Sequence, residues 1–245
     1  MTTNYDDIAA EYKRAKQQPW RLHLEHFTLF TLLGDLRGKT VLDLACGEGF
    51  YTRFIKQRGA VRVVGVDLSA GMIALARREE ERHRLGIDYL VHDVKDLALD
   101  ETFDVVVAAY LLNYAQTADE LLAMCRAITR HLRPGGRFVT VNNNPRQSAE
   151  YFTLTRPYGF IKRARGPLWE GTPVDYTFFL GEESLTITNY HFSVATHEWA
   201  LKTAGFQQVT WHDPALSAPI MDGTAQNYWS DFLAHPPIVF IACVL

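Results

Sequence analysis

Apolar residues recur along the chain in two rhythms. Short runs at 41–44, 61–67, 87–91, 103–109 and 137–141 are dominated by Val, Ile, Leu and Ala, as in strands buried on both faces. Between them, 50–58, 70–84 and 118–131 place apolar residues every three or four positions and predict helices. Ser69 is placed to cap the second of these, and the third runs into Leu132-Arg-Pro-Gly-Gly136, which stops it. Residues 4–33 predict two helices broken near Pro19. From 146 to 185 the periodicity fails among three prolines, several glycines and many aromatics, which predicts a loop-rich insertion. Alternation returns as a strand at 185–194, followed by a helix at 196–204 closed by Gly205 and strands at 208–211 and 238–245.

Five strand–helix units and a reversed final pair predict an α/β fold. Its core is a doubly wound, Rossmann-like sheet of seven strands with one antiparallel strand near the edge. At 245 residues and 47% hydrophobic the chain forms one domain. We divide it into a helical cover (1–36), a core (37–145), a lid insertion (146–185) and the remainder of the sheet (186–245).

The first chemistry lies where the first strand breaks into Ala45-Cys-Gly-Glu-Gly49. Gly47 and Gly49 admit dihedrals closed to other residues, and the following helix points unpaired N–H groups at whatever binds there. The second strand ends on Asp67, 20 residues past Gly47, where a carboxylate accepts hydrogen bonds from adjacent sugar hydroxyls. That pairing indicates a nucleoside cofactor and equally suits a nicotinamide-dependent oxidoreductase. Two residues oppose a dinucleotide. Thr52 stands where the fingerprint requires Gly or Ala for close packing over a pyrophosphate, and Glu48 brings negative charge into the turn.

Asp43-Leu-Ala-Cys-Gly-Glu-Gly49 resembles the first motif of the class I S-adenosylmethionine-dependent methyltransferases, with Ala45 where many members carry another glycine. Leu132-Arg-Pro-Gly-Gly-Arg-Phe138 resembles the family's structural motif before the fifth strand, and the likeness spans residues 40–141. It implies strand order 3-2-1-4-5-7-6 with strand 7 antiparallel, and S-adenosylmethionine as cofactor. By position it assigns Asp43, Ala45, Cys46 and Gly47 to the cofactor loop and Asp67 to the ribose. Leu68, Met72, Asp93 and Val94 fall to the adenine, and Ala109, Tyr110 and Tyr114 to the space between cofactor and acceptor. The leader at 4–12 resembles one whose aromatic covers the cofactor, which points to Tyr12 and Tyr5.

Methyl transfer is an in-line displacement that needs aligned reactants in a dry site more than a strong acid or base. His191, His197 and Asp213 accordingly receive no role as bases, Tyr110 and Tyr114 are positioning residues, and the histidine spacing implies no metal. Aromatics concentrate in and around the insertion and predict a pocket for a flat acceptor, with Tyr5, Trp20, Asn142, Tyr158, Tyr176 and Tyr190 as candidate contacts. The insertion and leader resemble those of bacterial natural-product N-methyltransferases of the azapteridine (toxoflavin) type. O-methylation of a phenol or quinone-like molecule is the alternative.

A net charge of −3 gives no electrostatic case for nucleic acid or an anionic membrane. Lys162, Arg163 and Arg165, the nearest approach to a basic cluster, read as a solvated loop. The three separated cysteines, the absence of a basic start and the lack of an 18-residue apolar run lead us to expect free thiols in a cytoplasmic protein. Monomer and homodimer both remain open.

Overall fold

A computed structural model describes residues 18–217 and 227–245. Tyr5, Tyr12 and the first of the two N-terminal helices lie outside them. After Pro19 the chain enters a π-helical turn, Arg21–His26, that continues as α1 (Phe27–Leu33). The main elements that follow are β1 (Thr40–Leu44), α2 (Phe50–Gln57), β2 (Arg62–Asp67), α3 (Ala70–His83), β3 (Asp88–Val91), β4 (Phe103–Ala109) and α4 (Ala118–Arg130). Then come β5 (Leu132–Asn143), β6 (Phe160–Ala164), β7 (Thr172–Leu180), β8 (Glu183–His191), α5 (Val194–Ala204), β9 (Gln208–His212), α6 (Ser230–Ala234) and β10 (Ile238–Val244).

The main sheet has order β3-β2-β1-β4-β5-β10-β9, with β10 antiparallel to both neighbours. It matches the expected order once β9 and β10 are counted as the sixth and seventh strands. Parallel pairing of β1 with β2 and β4 brings the ends of three strands to one crevice. Val41, Val105, Val107 and Val139 pack on the face shared with α1, α2 and α3. Leu42, Leu44, Val106 and Phe138 pack on the other, beneath α4 and α5.

The helices start where their caps dictate. Ser69 accepts the Met72 N–H at 3.0 Å, Thr117 that of Glu120 at 3.1 Å and Ser193 that of Thr196 at 3.2 Å. Each such bond satisfies one orphan donor and is worth about 1 kcal/mol.

The insertion departs from expectation. In place of a loop-rich lid it folds into a second sheet, β6-β7-β8, antiparallel throughout. The strand expected at 185–194 is β8 of this sheet, so the boundary drawn at 185 cuts through a strand. Val174, Tyr176 and Phe178 alternate inward from β7 and join the same core as α1. Lys162, expected in a solvated loop, points inward from β6 and is 3% exposed. Cys46, Cys125 and Cys243 are buried free thiols. Among the described residues no helix is long and apolar enough to cross a membrane.

Candidate active site

The crevice at the strand ends is built around one carboxylate. Past β1 the backbone turns through left-handed dihedrals at Ala45 (φ 55°) and Gly47 (φ 57°), and Gly49 (φ 81°) caps α2. A Cβ on Gly49 would lie 2.4 Å from the Tyr89 hydroxyl, so the loop closes over Tyr89 only with glycine there. Asp67 accepts the Gly47 N–H at 2.7 Å through one oxygen and the Ser69 N–H at 2.9 Å through the other. It therefore clamps the glycine loop to the entrance of α3.

Ala45, Gly47, Asp67, Leu68, Met72, Asp93, Val94, Ala109, Tyr110 and Tyr114 all line one cavity of about 190 Å³. Lys95, Leu111, Gln116, Glu120 and Met124 complete it. Asp43 and Cys46, expected on the cavity, lie beneath it at 1% and 4% exposure. The Asp43 carboxylate accepts the Thr52 hydroxyl at 2.6 Å and ties α2 to β1. That bond gives Thr52 a structural task at the position where a dinucleotide fold needs a small residue. Glu48 turns inward to pair with Arg53 at 2.8 Å, so its charge is neutralised and no longer argues against a phosphate. Asp93 faces the cavity while one of its oxygens caps the next turn by accepting the Lys95 N–H at 2.9 Å.

The chemistry of this lining suits a nucleoside. Three carboxylates, Asp67, Asp93 and Glu120, can meet hydroxyl and amine donors, and Leu68, Met72 and Met124 supply apolar walls. Among the described residues the cavity's single cationic side chain is Lys95, shared between Asp93 at 3.8 Å and Glu120 at 3.5 Å, and no arginine lines it to receive a pyrophosphate.

A second cavity opens on the other side of Tyr110 and Tyr114, which line both. Its walls are Trp20, Phe160, Tyr176, Phe178, Ile187 and Ile238, and its polar groups are Arg21, Asn143 and Asn189. Of the expected acceptor contacts, Trp20 and Tyr176 are here. Asn142 is not: side chains alternate along β5, so Asn143 faces the cavity and Asn142 is buried on the opposite face. Tyr158 is committed to packing, stacked on Trp229 at 5.4 Å with its hydroxyl donating to the Tyr228 carbonyl at 2.8 Å. Tyr190 lines a side chamber that shares Asn143 and Tyr176 with this cavity. Asp213 pairs with Arg146 at 3.3 Å, away from both cavities, and His191 and His197 line only the side chamber.

Sequence reasoning missed the ion pair behind the two cavities. Glu25 is fully buried and accepts from Arg21 at 3.0 Å and from the hydroxyls of Tyr51 and Tyr110. Burial first, and the negative field of Glu25 second, push the Tyr110 phenol well above its ordinary value, so it serves as a fixed donor. Tyr110 also sits at φ 65°, a costly dihedral for a side-chain-bearing residue, and this network holds it there. An Arg and a Glu four apart inside an apolar helix were the available signal. Among the described residues no group of His, Cys, Asp or Glu is placed to hold a metal ion.

Comparison with known proteins agrees with this geometry. A family model described as a methyltransferase domain matches residues 41–136. N-demethylindolmycin N-methyltransferase of Streptomyces griseus is 28% identical over 170 residues, covering 69% of this chain and 70% of that protein. Ubiquinone biosynthesis O-methyltransferase of Bradyrhizobium sp. (strain ORS 278) is 30% identical over 182 residues, covering 70% and 69%. The crystal structure of an S-adenosylmethionine-dependent methyltransferase from Mesorhizobium loti superposes with a TM-score of 0.64 at 22% identity, over 90% of this chain and 97% of that one. This chain belongs to the class I S-adenosylmethionine-dependent methyltransferases.

Proposed function

We propose that this enzyme methylates a ring nitrogen of a small planar aromatic or heterocyclic metabolite. The carrying observation is that Tyr110 and Tyr114 line both cavities, so cofactor and acceptor meet between these two rings. Asp67 would hold the ribose hydroxyls from the end of β2. Asp93 and the Val94 N–H would read the adenine edge, with Leu68 and Met72 against the ring faces. When bound, the cofactor supplies an electrophilic methyl on a sulfonium and leaves as a neutral thioether.

What the chain supplies is alignment and exclusion of water. Trp20, Phe160, Tyr176 and Phe178 form walls that suit a flat molecule, and Asn143 and Asn189 offer amides to its edge. Among the described residues no Asp, Glu or His lines this cavity. The acceptor atom therefore brings its own lone pair or arrives ionised, as ring nitrogens do. The indolmycin relative, an N-methyltransferase by name, supports nitrogen; the ubiquinone relative, an O-methyltransferase by name, keeps a phenolic oxygen as the second reading.

Incubation with isotopically labelled S-adenosylmethionine and a panel of planar heterocycles, phenols and aliphatic amines, read by mass shift, tests this. We expect label on ring nitrogens. Label confined to phenols overturns the choice of atom, and label confined to aliphatic amines overturns the flat acceptor.

A further inference from the structure

Beside the acceptor cavity, and sharing Asn143 and Tyr176 with it, lies a small chamber of about 20 Å³ whose side chains the proposed reaction does not use. Among its lining groups is the side-chain amine of Lys162. In β6 this residue is in register with Tyr176 of β7, and its Nζ sits 4.3 Å from the centre of the Phe152 ring and 5.4 Å from that of Tyr176. Its one hydrogen bond is a long one, 3.5 Å, to the Pro237 carbonyl.

Among the described residues the titratable groups around it are Tyr176 on β7, Tyr190 and His191 on β8 and His197 on α5, and no Asp or Glu lines the chamber. Glu170, the carboxylate that acts on His191, is engaged by Ser193 and Thr196. Without a counter-charge, burial lowers the Lys162 pKa to about 7. Facing the same space is Asn113, 3% exposed, whose amide nitrogen and oxygen both lack a partner. A buried amine without an anion and a buried amide without a bond are each costly, and a ligand oxygen in this chamber would give the Lys162 nitrogen and the Asn113 amide nitrogen an acceptor.

We propose that this chamber is the oxygen-recognition subsite of the acceptor pocket, and that the acceptor is a planar lactam or imide bound as its anion with the ring oxygen on Lys162 and Asn113. The inference rests on the planar-acceptor reading above and narrows it to rings in which the methylated nitrogen is conjugated to an oxygen. The proton balance is simple. The O–H bond of the lactim tautomer breaks and its proton passes to the Lys162 amine. The charge left behind spreads over the oxygen, carbon and nitrogen of the ring, and the nitrogen becomes the nucleophile. As the neutral N-methyl lactam leaves, the Lys162 ammonium returns its proton to water.

The test is calorimetry with S-adenosylhomocysteine present, using quinazoline-2,4-dione and quinazoline, two rings alike in size of which only the first carries acidic N–H and oxygen. The wild type should bind the dione about tenfold or more tighter, the range of a charged hydrogen bond. Lys162→Met and Lys162→Gln should erase that preference while leaving the S-adenosylhomocysteine affinity within about twofold, which shows the variants folded. Lysine-detected NMR should show Lys162 protonated at pH 8 only with the dione bound. A wild type that favours neither ring, a preference that survives both substitutions, or a Lys162 signal the dione does not move each overturns the proposal. Label on planar rings without the dione preference would leave the methylation reading intact and sink this one.

Discussion

At the scale of single residues, the site turns on how few atoms carry several tasks. Asp67 braces the glycine loop, caps the path into α3 and faces the cofactor cavity. Asp67→Ala should therefore remove more than a ribose contact: loss of a charge-assisted acceptor costs about 1.5–3 kcal/mol, and the freed loop adds an ordering cost. Calorimetry should show the S-adenosylhomocysteine affinity falling at least about tenfold, and an unchanged affinity would sink the role given to Asp67. Asp67 was legible from spacing because it ends β2, where the chain's rhythm fixes its position, whereas Asp93 and Met72 were placed by the family resemblance. Asn143 and Asn142 were not separable, since the register of β5 against the crevice is a tertiary fact. Lys162 was misread for a related reason: a cation in sequence announces solvent, and nothing local reveals that its strand turns that side inward.

At the scale of elements, strands buried on both faces announced themselves as continuous apolar runs, and β1, β2 and β4 fall within a residue or so of expectation. Of the second sheet only β8 showed, as the alternation at 185–194; β6 and β7 did not, because they carry Lys162 and Pro173 within them and lie among glycine turns. Close packing between neighbouring strands also leaves a mark in β2. A Cβ on Gly65 would come within 2.8 Å of the Tyr89 ring and 3.0 Å of the Cys46 sulfur, both buried. Gly65→Ala should force Tyr89 off its position at a cost of about 1–3 kcal/mol. For a chain of this length that lowers the melting temperature by roughly 2–10 °C, and a melting curve superimposable on the wild type would show that Tyr89 yields freely.

At the scale of the whole molecule, the two sheets differ in how they are covered. β1 and β4 have strands on both edges and packed residues on both faces, whereas β7 and β8 alternate between core and solvent. Hydrogen exchange followed by mass spectrometry should leave β1 and β4 amides protected longest and release β7 and β8 earlier. Equal protection of both sheets would mean that the molecule opens as one unit. The two cavities draw on the chain just as unequally. Every described residue lining the first cavity lies between 45 and 124, inside the segment that matches the family. Among the described residues lining the second, only Tyr110 and Tyr114 do; the others come from before residue 22 or after residue 142. On the proposed division of labour between the two cavities, drift in the outlying segments changes which molecule is accepted while the methyl donor's berth stays as it is, so a lineage can explore new acceptors without ever passing through a form that has lost its donor.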